Sequence, residues 1–213
     1  MNRDFEFRQL LRAYRKGIIS EATFEKEMAG LEGESAEGAS NGSGFCAMGR
    51  TYPSERAAIT SYLERVRAGE SMGAQGFNQW LQVCKTECIR SGLRMIAERE
   101  AYHVRVFEAR LRDLGVQPAA AAPSEELSKF VQMLASPDLP DNRKLLKLTA
   151  SYDSEELWRP VREFVDLIKE DLESKELIRL YVEDETSSGN WLRMACKALN
   201  PQLQETAAAA RMN

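Results

Sequence analysis

A pattern of carboxylates occurs twice in this chain at a constant offset, and it restricts how the chain can fold. In each copy a glutamate is followed thirty residues later by a second one, which opens a four-residue group. The first copy is Glu70, Glu100 and His103, and the second copy is Glu155, Glu185 and Ser188. Each residue of the second copy lies 85 positions after its counterpart. A repeat of this kind predicts a duplicated helical hairpin.

Glutamate and histidine three positions apart lie on one face of a helix, so both can reach the same ion. Helical bundles with two metal ions take one Glu from each of two helices and a Glu-x-x-His from each of the others. The sequence therefore predicts five metal ligands: Glu70, Glu100, His103, Glu155 and Glu185. Iron or manganese suits such a mixed carboxylate and imidazole set.

Ser188 stands where the repeat predicts a second imidazole, while His103 is the only histidine in the chain. A hydroxyl is a weak ligand for a divalent cation, so the second metal position is predicted to be the weaker one. Three outcomes stay open at this point: a labile second ion completed by water, one ion alone, or no metal. Tyr181, on the inward face of the same helix, either hydrogen-bonds a ligand carboxylate or is an ordinary core residue.

Composition and periodicity predict an all-α protein, a four-helix bundle with a long crossover between its halves. Two long helices are expected between residue 54 and Gly115, and a short helix over 125–135 with Ser124 as its cap. The third long helix is expected from Leu145 through Glu155 to Ile168, and the fourth includes Ile178 and Leu192. Turns are expected near residues 85 and 170. Neither place has Gly or Pro, and Thr86 and Ser174 are the candidate caps.

The chain divides by composition into four parts: a helical hairpin over 1–32, a flexible linker over 33–52, the bundle over 53–200 and a flexible tail over 201–213. The run from Leu11 to Phe24 (LRAYRKGIISEATF) resembles the short SHOCT-type helical modules found at protein termini. That resemblance implies oligomerisation or docking to a protein partner through the hairpin.

The formal net charge of −4 argues against a nucleic-acid partner. No apolar run approaches the ~20 residues that span a bilayer, so no transmembrane segment is predicted. Four cysteines in 213 residues are typical of a reduced protein, and we expect a cytoplasmic one. A homo-oligomer is the expected assembly.

The segment from Arg65 to Ala74 (RVRAGESMGA) resembles the first-helix motif of the demethoxyubiquinone hydroxylases, which belong with the rubrerythrins in the ferritin-like superfamily. The segment from Glu100 to His103, followed by Phe107, also resembles the second-helix motif of the hydroxylases and the rubrerythrins. Arg67 stands where that family has histidine. The resemblance implies a di-iron site that activates dioxygen or peroxide, with a quinone ring, iron itself or hydrogen peroxide as the substrate.

The leading functional hypothesis is an iron or manganese carboxylate protein with redox or oxygen chemistry at a partly degenerate di-metal site. The alternative is a degenerate ferritin-like bundle without enzymatic activity that serves as an interaction or scaffold module. A third hypothesis is a metal-storage protein that assembles into a closed oligomer. Burial of the glutamates on one inner surface favours metal binding, and exposure of Glu155 or Glu185 favours the scaffold.

Overall fold

The computed structural model describes residues 20, 23–24, 44–118, 124–150 and 154–201. These ranges are mostly helical, as the sequence predicts, and they also contain one small β-hairpin. The elements are β1 (Phe45–Ala47), β2 (Arg50–Tyr52), α1 (Glu55–Val83), α2 (Glu87–Asp113), α3 (Glu125–Ala135), α4 (Asp141–Thr149), α5 (Ser154–Leu167) and α6 (Leu172–Leu199). In the described part of the chain, no helix is both long and apolar enough to cross a membrane. The four cysteines are free thiols.

Helices α1 and α2 form an antiparallel hairpin whose turn lies at 84–86, where the sequence predicts it. Asp141 stabilises this turn from a distance of more than fifty residues. Its Oδ2 accepts hydrogen bonds from the backbone N–H groups of Lys85 and Thr86, both at 2.9 Å, and from Thr86 Oγ1 at 2.7 Å. Thr86 is the N-cap of α2, but its own side chain makes no capping bond.

The turn between α5 and α6 is stabilised in a similar way. The carboxylate of Glu55 accepts hydrogen bonds at 2.8–2.9 Å from the backbone N–H groups of Lys169, Glu170 and Asp171. Asp171 then caps α6 by accepting from the backbone and the hydroxyl of Ser174. The cap is therefore Asp171, and Ser174, the predicted cap, lies inside the first turn of the helix.

The third helix differs from the prediction. In place of one long helix from Leu145 to Ile168, the structure has α4 and α5, with residues 151–153 outside the described ranges. Both short helices pack on α6, while α3 packs on α1. Pro160 lies inside α5.

Helix α3 has the predicted bounds, and Ser124 caps it by accepting from the Leu127 N–H at 3.2 Å.

The predicted linker over 33–52 ends in a folded element. Residues 45–52 form the two-stranded antiparallel β1–β2 hairpin, in which Ala47 pairs with Arg50. Met48 and Gly49 both have positive φ angles, 51° and 70°, as tight two-residue hairpin turns require. The predictions for 1–32, 33–43 and 202–213 fall outside the described residues, apart from Ser20, Thr23 and Phe24; there Ser20 Oγ accepts from the Thr23 N–H at 3.2 Å.

The buried apolar side chains form two clusters. One surrounds Tyr62, Leu63 and Phe107, and the other surrounds Trp80 and Leu93. Along α1, α2 and α6, buried polar residues occupy positions between the two clusters: Glu70, Glu100, His103 and Ser188. The bundle therefore encloses a polar layer between two apolar ones.

Candidate metal centre

The imidazole of His103 is the centre of this polar layer. It is 2 % exposed and stacks on the Phe107 ring, with ring centroids 6.0 Å apart. Its Nδ1 lies 2.9 Å from Glu70 Oε2, and its Nε2 lies 3.2 Å from Asp184 Oδ2. Both ring nitrogens therefore face carboxylates, one from α1 and one from α6.

Glu70 is held from both sides. Its Oε2 faces His103, and its Oε1 accepts a hydrogen bond of 2.9 Å from the Tyr181 hydroxyl. Tyr181 is itself buried against the edges of the His103 and Phe107 rings. The structure thus gives Tyr181 both roles that the sequence left open, a core residue and a hydrogen-bond donor to a predicted ligand.

Glu185 completes a three-residue cluster. Its Oε1 lies 3.7 Å from His103 Nδ1, and one donor atom from each of Glu70, His103 and Glu185 lies within 4.8 Å of the others. The three residues come from three helices, so their approach depends on the packing of the bundle and not on local sequence.

Glu100 lies beside this cluster, packed against the backbone of α1. A Cβ atom built on Gly73 would collide with Glu100 Oε2, so this approach requires glycine at position 73. Glu100 is buried and hydrogen-bonds Glu70. Two carboxylate groups can share a hydrogen bond only when one of them carries a proton, and burial, which raises the pKa of Glu100, favours the proton on Glu100.

The electrostatics of the cluster favour added positive charge. Burial and the negative charge of Glu70 raise the pKa of Glu185 to about 8. Burial and the charges of Glu185 and Glu70 raise the pKa of Glu100 well above its usual range. Burial lowers the pKa of His103, but the hydrogen bond and charge of Glu70, followed by Asp184, more than offset this and raise it. The site therefore retains protons where a divalent cation could replace them.

Two residues from the second half of the predicted site, Glu155 and Ser188, are not part of this cluster. Glu155 lies at the exposed start of α5, where its Oε2 is 3.0 Å from Arg162 and 82 % of its side chain is accessible. Ser188 is buried, but its hydroxyl accepts a hydrogen bond of 2.8 Å from Arg99 Nη1. The structure therefore brings together four of the five predicted ligands and leaves Glu155, at the start of α5, outside.

Two residues that the sequence reasoning did not assign belong to the site, Asp184 and Arg99. Arg99 Nη1 donates to the backbone carbonyl of Asp184 at 2.8 Å, in addition to Ser188. A signal for both was present in the repeat, since Asp184 also lies 85 positions after Arg99 and each directly precedes a predicted glutamate ligand.

Comparisons of the chain with protein-family models, with curated proteins and with solved structures find no match. The ferritin-like resemblance thus stays a prediction.

The donor atoms themselves fit a cation: two carboxylates and an imidazole from three helices, with a third carboxyl group beside them. The Tyr62 hydroxyl is also buried here and has no hydrogen-bond partner among the described residues. Its pKa is raised by burial and by the charges of Glu70 and Glu185, so it lies near both.

Proposed function

We propose that this protein binds iron or manganese between α1, α2 and α6, through Glu70, His103 and Glu185, and uses it in redox or oxygen chemistry. The observation that carries the proposal is the approach of three buried or half-buried donor atoms to within 4.8 Å of one another. Ligands at about 2.1 Å from one ion lie roughly 3–4 Å apart, and the separations of 2.9 and 3.7 Å fall near this range.

The type of donor favours the proposed metals. Carboxylate oxygens suit manganese and other hard cations, and an imidazole nitrogen extends the set to iron and zinc. No cysteine belongs to the cluster. A bound redox-active ion would supply the oxidation–reduction chemistry, while the chain supplies binding, orientation and a partly dry environment.

The residues around the ligands each have a role in this proposal. Asp184 would accept a hydrogen bond from the His103 Nε2–H, orient the ring and leave Nδ1 as the ligand nitrogen. Tyr181 holds the second oxygen of Glu70. Glu185, with its pKa of about 8, loses its proton when a cation binds, so binding releases protons at neutral pH. Glu100, which lies beside the cluster, would be available as a further ligand in its deprotonated form.

The non-enzymatic alternative also has an observation in its favour. Glu155 is exposed, and the buried polar groups already satisfy one another through the contacts among Glu70, His103 and Tyr181. A bundle of this kind could keep its polar layer for specificity of packing and act as an interaction or scaffold module.

Metal titration of the protein distinguishes these functions. Protein freed of metal is titrated anaerobically with Mn²⁺ and with Fe²⁺, and bound metal is measured by elemental analysis and by the loss of the free Mn²⁺ signal in electron paramagnetic resonance. We expect binding by the unmodified chain and its loss in His103→Gln. Glu155→Gln is the matched control and should bind as the unmodified chain does. If the unmodified chain binds neither metal, the metal proposal fails and the scaffold function remains.

A further inference from the structure

Helices α2 and α6 cross at two pairs of polar side chains that mirror each other. His103 of α2 contacts Asp184 of α6, and Ser188 of α6 contacts Arg99 of α2. Ser188 lies 85 positions after His103, and Asp184 lies 85 positions after Arg99. Exchanging the two halves of the repeat therefore converts one pair into the other. Equivalent positions of the repeat therefore make equivalent contacts in the structure. One contact joins an imidazole to a carboxylate, and the other joins a guanidinium to a hydroxyl.

The guanidinium of Arg99 is held in a defined position. Nη1 donates to Ser188 Oγ and to the Asp184 carbonyl, both at 2.8 Å, and Nε lies 3.8 Å from Asp184 Oδ1. The side chain is 20 % exposed. Ser188, which replaces the predicted histidine, is thus the residue that receives the arginine, and its small side chain leaves the guanidinium room to enter.

The position of Arg99 matters because its charge is permanent. A guanidinium remains protonated at any pH at which a protein is folded. The charge of Arg99 lowers the pKa values of Glu100 and Glu185, against the burial that raises them. The arginine therefore compensates the negative charge of the same carboxyl groups that would be available to hold a second metal ion.

We infer that Arg99 is a built-in cation that takes the place of the second metal ion, so that the chain binds one divalent ion and not two. The inference rests on the proposed metal function, since it concerns how many ions that site accepts. It also accounts for two observations on the second half-site: position 188 has a serine in place of the histidine, and Glu155 lies outside the cluster. With a guanidinium present, neither the imidazole at position 188 nor the carboxylate at position 155 has a second ion to bind.

Stoichiometry tests the inference. The unmodified chain, Ser188→His, and the double variant Arg99→Gln/Ser188→His are titrated anaerobically with Mn²⁺ alone, and circular dichroism checks their fold. We expect one ion per chain in the unmodified protein and in Ser188→His, and two in the double variant. Arg94→Gln/Ser188→His is the matched control, because Arg94 is an exposed arginine on the same helix, and it should bind one.

The other outcomes separate the two proposals. No binding by the unmodified chain contradicts the metal function itself. Two ions in the unmodified chain or in Ser188→His, or one ion in a folded double variant, leave the metal function standing and overturn the role of Arg99. Should the double variant fail to fold, Arg99→Gln alone decides: removing a nearby positive charge should tighten Mn²⁺ binding roughly tenfold, whereas Arg99→Lys should not. Unchanged or weaker binding in Arg99→Gln contradicts the inference.

Discussion

Asp184 on α6 accepts a hydrogen bond from His103 Nε2 on α2 at 3.2 Å, while the opposite ring nitrogen faces Glu70. In the proposed metal site, Nδ1 is the ligand nitrogen because it is the one that faces Glu70 and Glu185, and the Asp184 contact orients the ring. Second carboxylates of this kind orient a ligand imidazole and raise its basicity, and their loss commonly lowers metal affinity 10- to 100-fold.

We therefore expect Asp184→Asn to weaken Mn²⁺ binding by about 10- to 100-fold without unfolding the protein. Isothermal titration calorimetry measures the affinity, and circular dichroism checks the fold. Glu183→Gln, which changes the preceding and exposed carboxylate, is the control and should leave the affinity unchanged. An affinity unaltered by Asp184→Asn would mean that His103 does not bind the ion through the nitrogen assigned here.

The stability of the metal-free protein should fall as the pH rises. The pKa of Glu185 is raised from 4.5 to about 8 in the folded protein, mainly by burial and the charge of Glu70, and that of Glu100 is also raised. The folded state then binds more protons than the unfolded state between these values, so each rise in pH favours unfolding. Thermal melting from pH 5 to pH 8 should show a declining Tm.

Two comparisons test the origin of that decline. Glu185→Gln removes one titrating group and should make the decline shallower. Saturating Mn²⁺ should reverse the trend in the unmodified chain, because the cation competes with protons and binds more tightly as the pH rises. A Tm that rises with pH in the metal-free protein would contradict the protonation of the buried carboxyl groups.

Gly73 and Gly69 on α1 offer a matched pair of substitutions. A methyl group at Gly73 would collide with the Glu100 carboxyl group, whereas one at Gly69 meets nothing within 4 Å. We expect Gly73→Ala to destabilise the protein by about 1–3 kcal/mol, as overpacking in a core does. Gly69→Ala should instead stabilise α1 by roughly 0.5–1 kcal/mol, since alanine favours a helix.

Urea unfolding measures both effects, and a double variant identifies the cause. If the collision with Glu100 is responsible, Gly73→Ala should cost much less in a Glu100→Ala background than in the unmodified chain. Equal costs in the two backgrounds would show that Glu100 is not the group against which Gly73 packs.

Asp141 is a buried carboxylate that stabilises the turn between α1 and α2. Burial raises its pKa, but hydrogen bonds from Trp80, Thr86 and the backbone of Lys85 lower it overall, so the carboxylate is charged when folded. Asp141→Ala would leave the Trp80 indole N–H and two backbone N–H groups without their acceptor. An unsatisfied buried donor costs about 1–3 kcal/mol, so we expect a loss of at least roughly 3 kcal/mol. Chemical denaturation measures it, with the exposed Asp138→Ala as the control.

The sequence predicts much of the first half of the bundle. The extents of α1 and α2, the cap Ser124, and the approach of Glu70, Glu100 and His103 follow from periodicity and from the spacing of one repeat. These features depend on contacts within a hairpin, where the chain itself keeps the register.

The features that the sequence does not predict depend on distant residues. The repeat predicts the positions of the turns near 85 and 170 but not what stabilises them: Asp141 and Glu55, which are remote in sequence, accept hydrogen bonds from their backbone N–H groups. The repeat aligns Glu155 with Glu70 and so predicts that both reach the same site. That prediction assumes one continuous third helix, whereas the structure has α4 and α5 and an exposed Glu155. The repeat holds between α2 and α6, where Arg99 and Asp184 meet as counterparts.

The bonds from Glu55 to residues 169–171 have a consequence for synthesis on the ribosome. Helix α1 is made early, but the backbone groups that fix its first residue emerge more than a hundred residues later. Until then the Glu55 carboxylate faces water, and α6, which carries Glu185 and Tyr181, is still missing. A nascent chain of this protein should therefore keep α1 incompletely anchored until residues 169–171 have left the exit tunnel, and the cluster around His103 forms only after α6 has emerged.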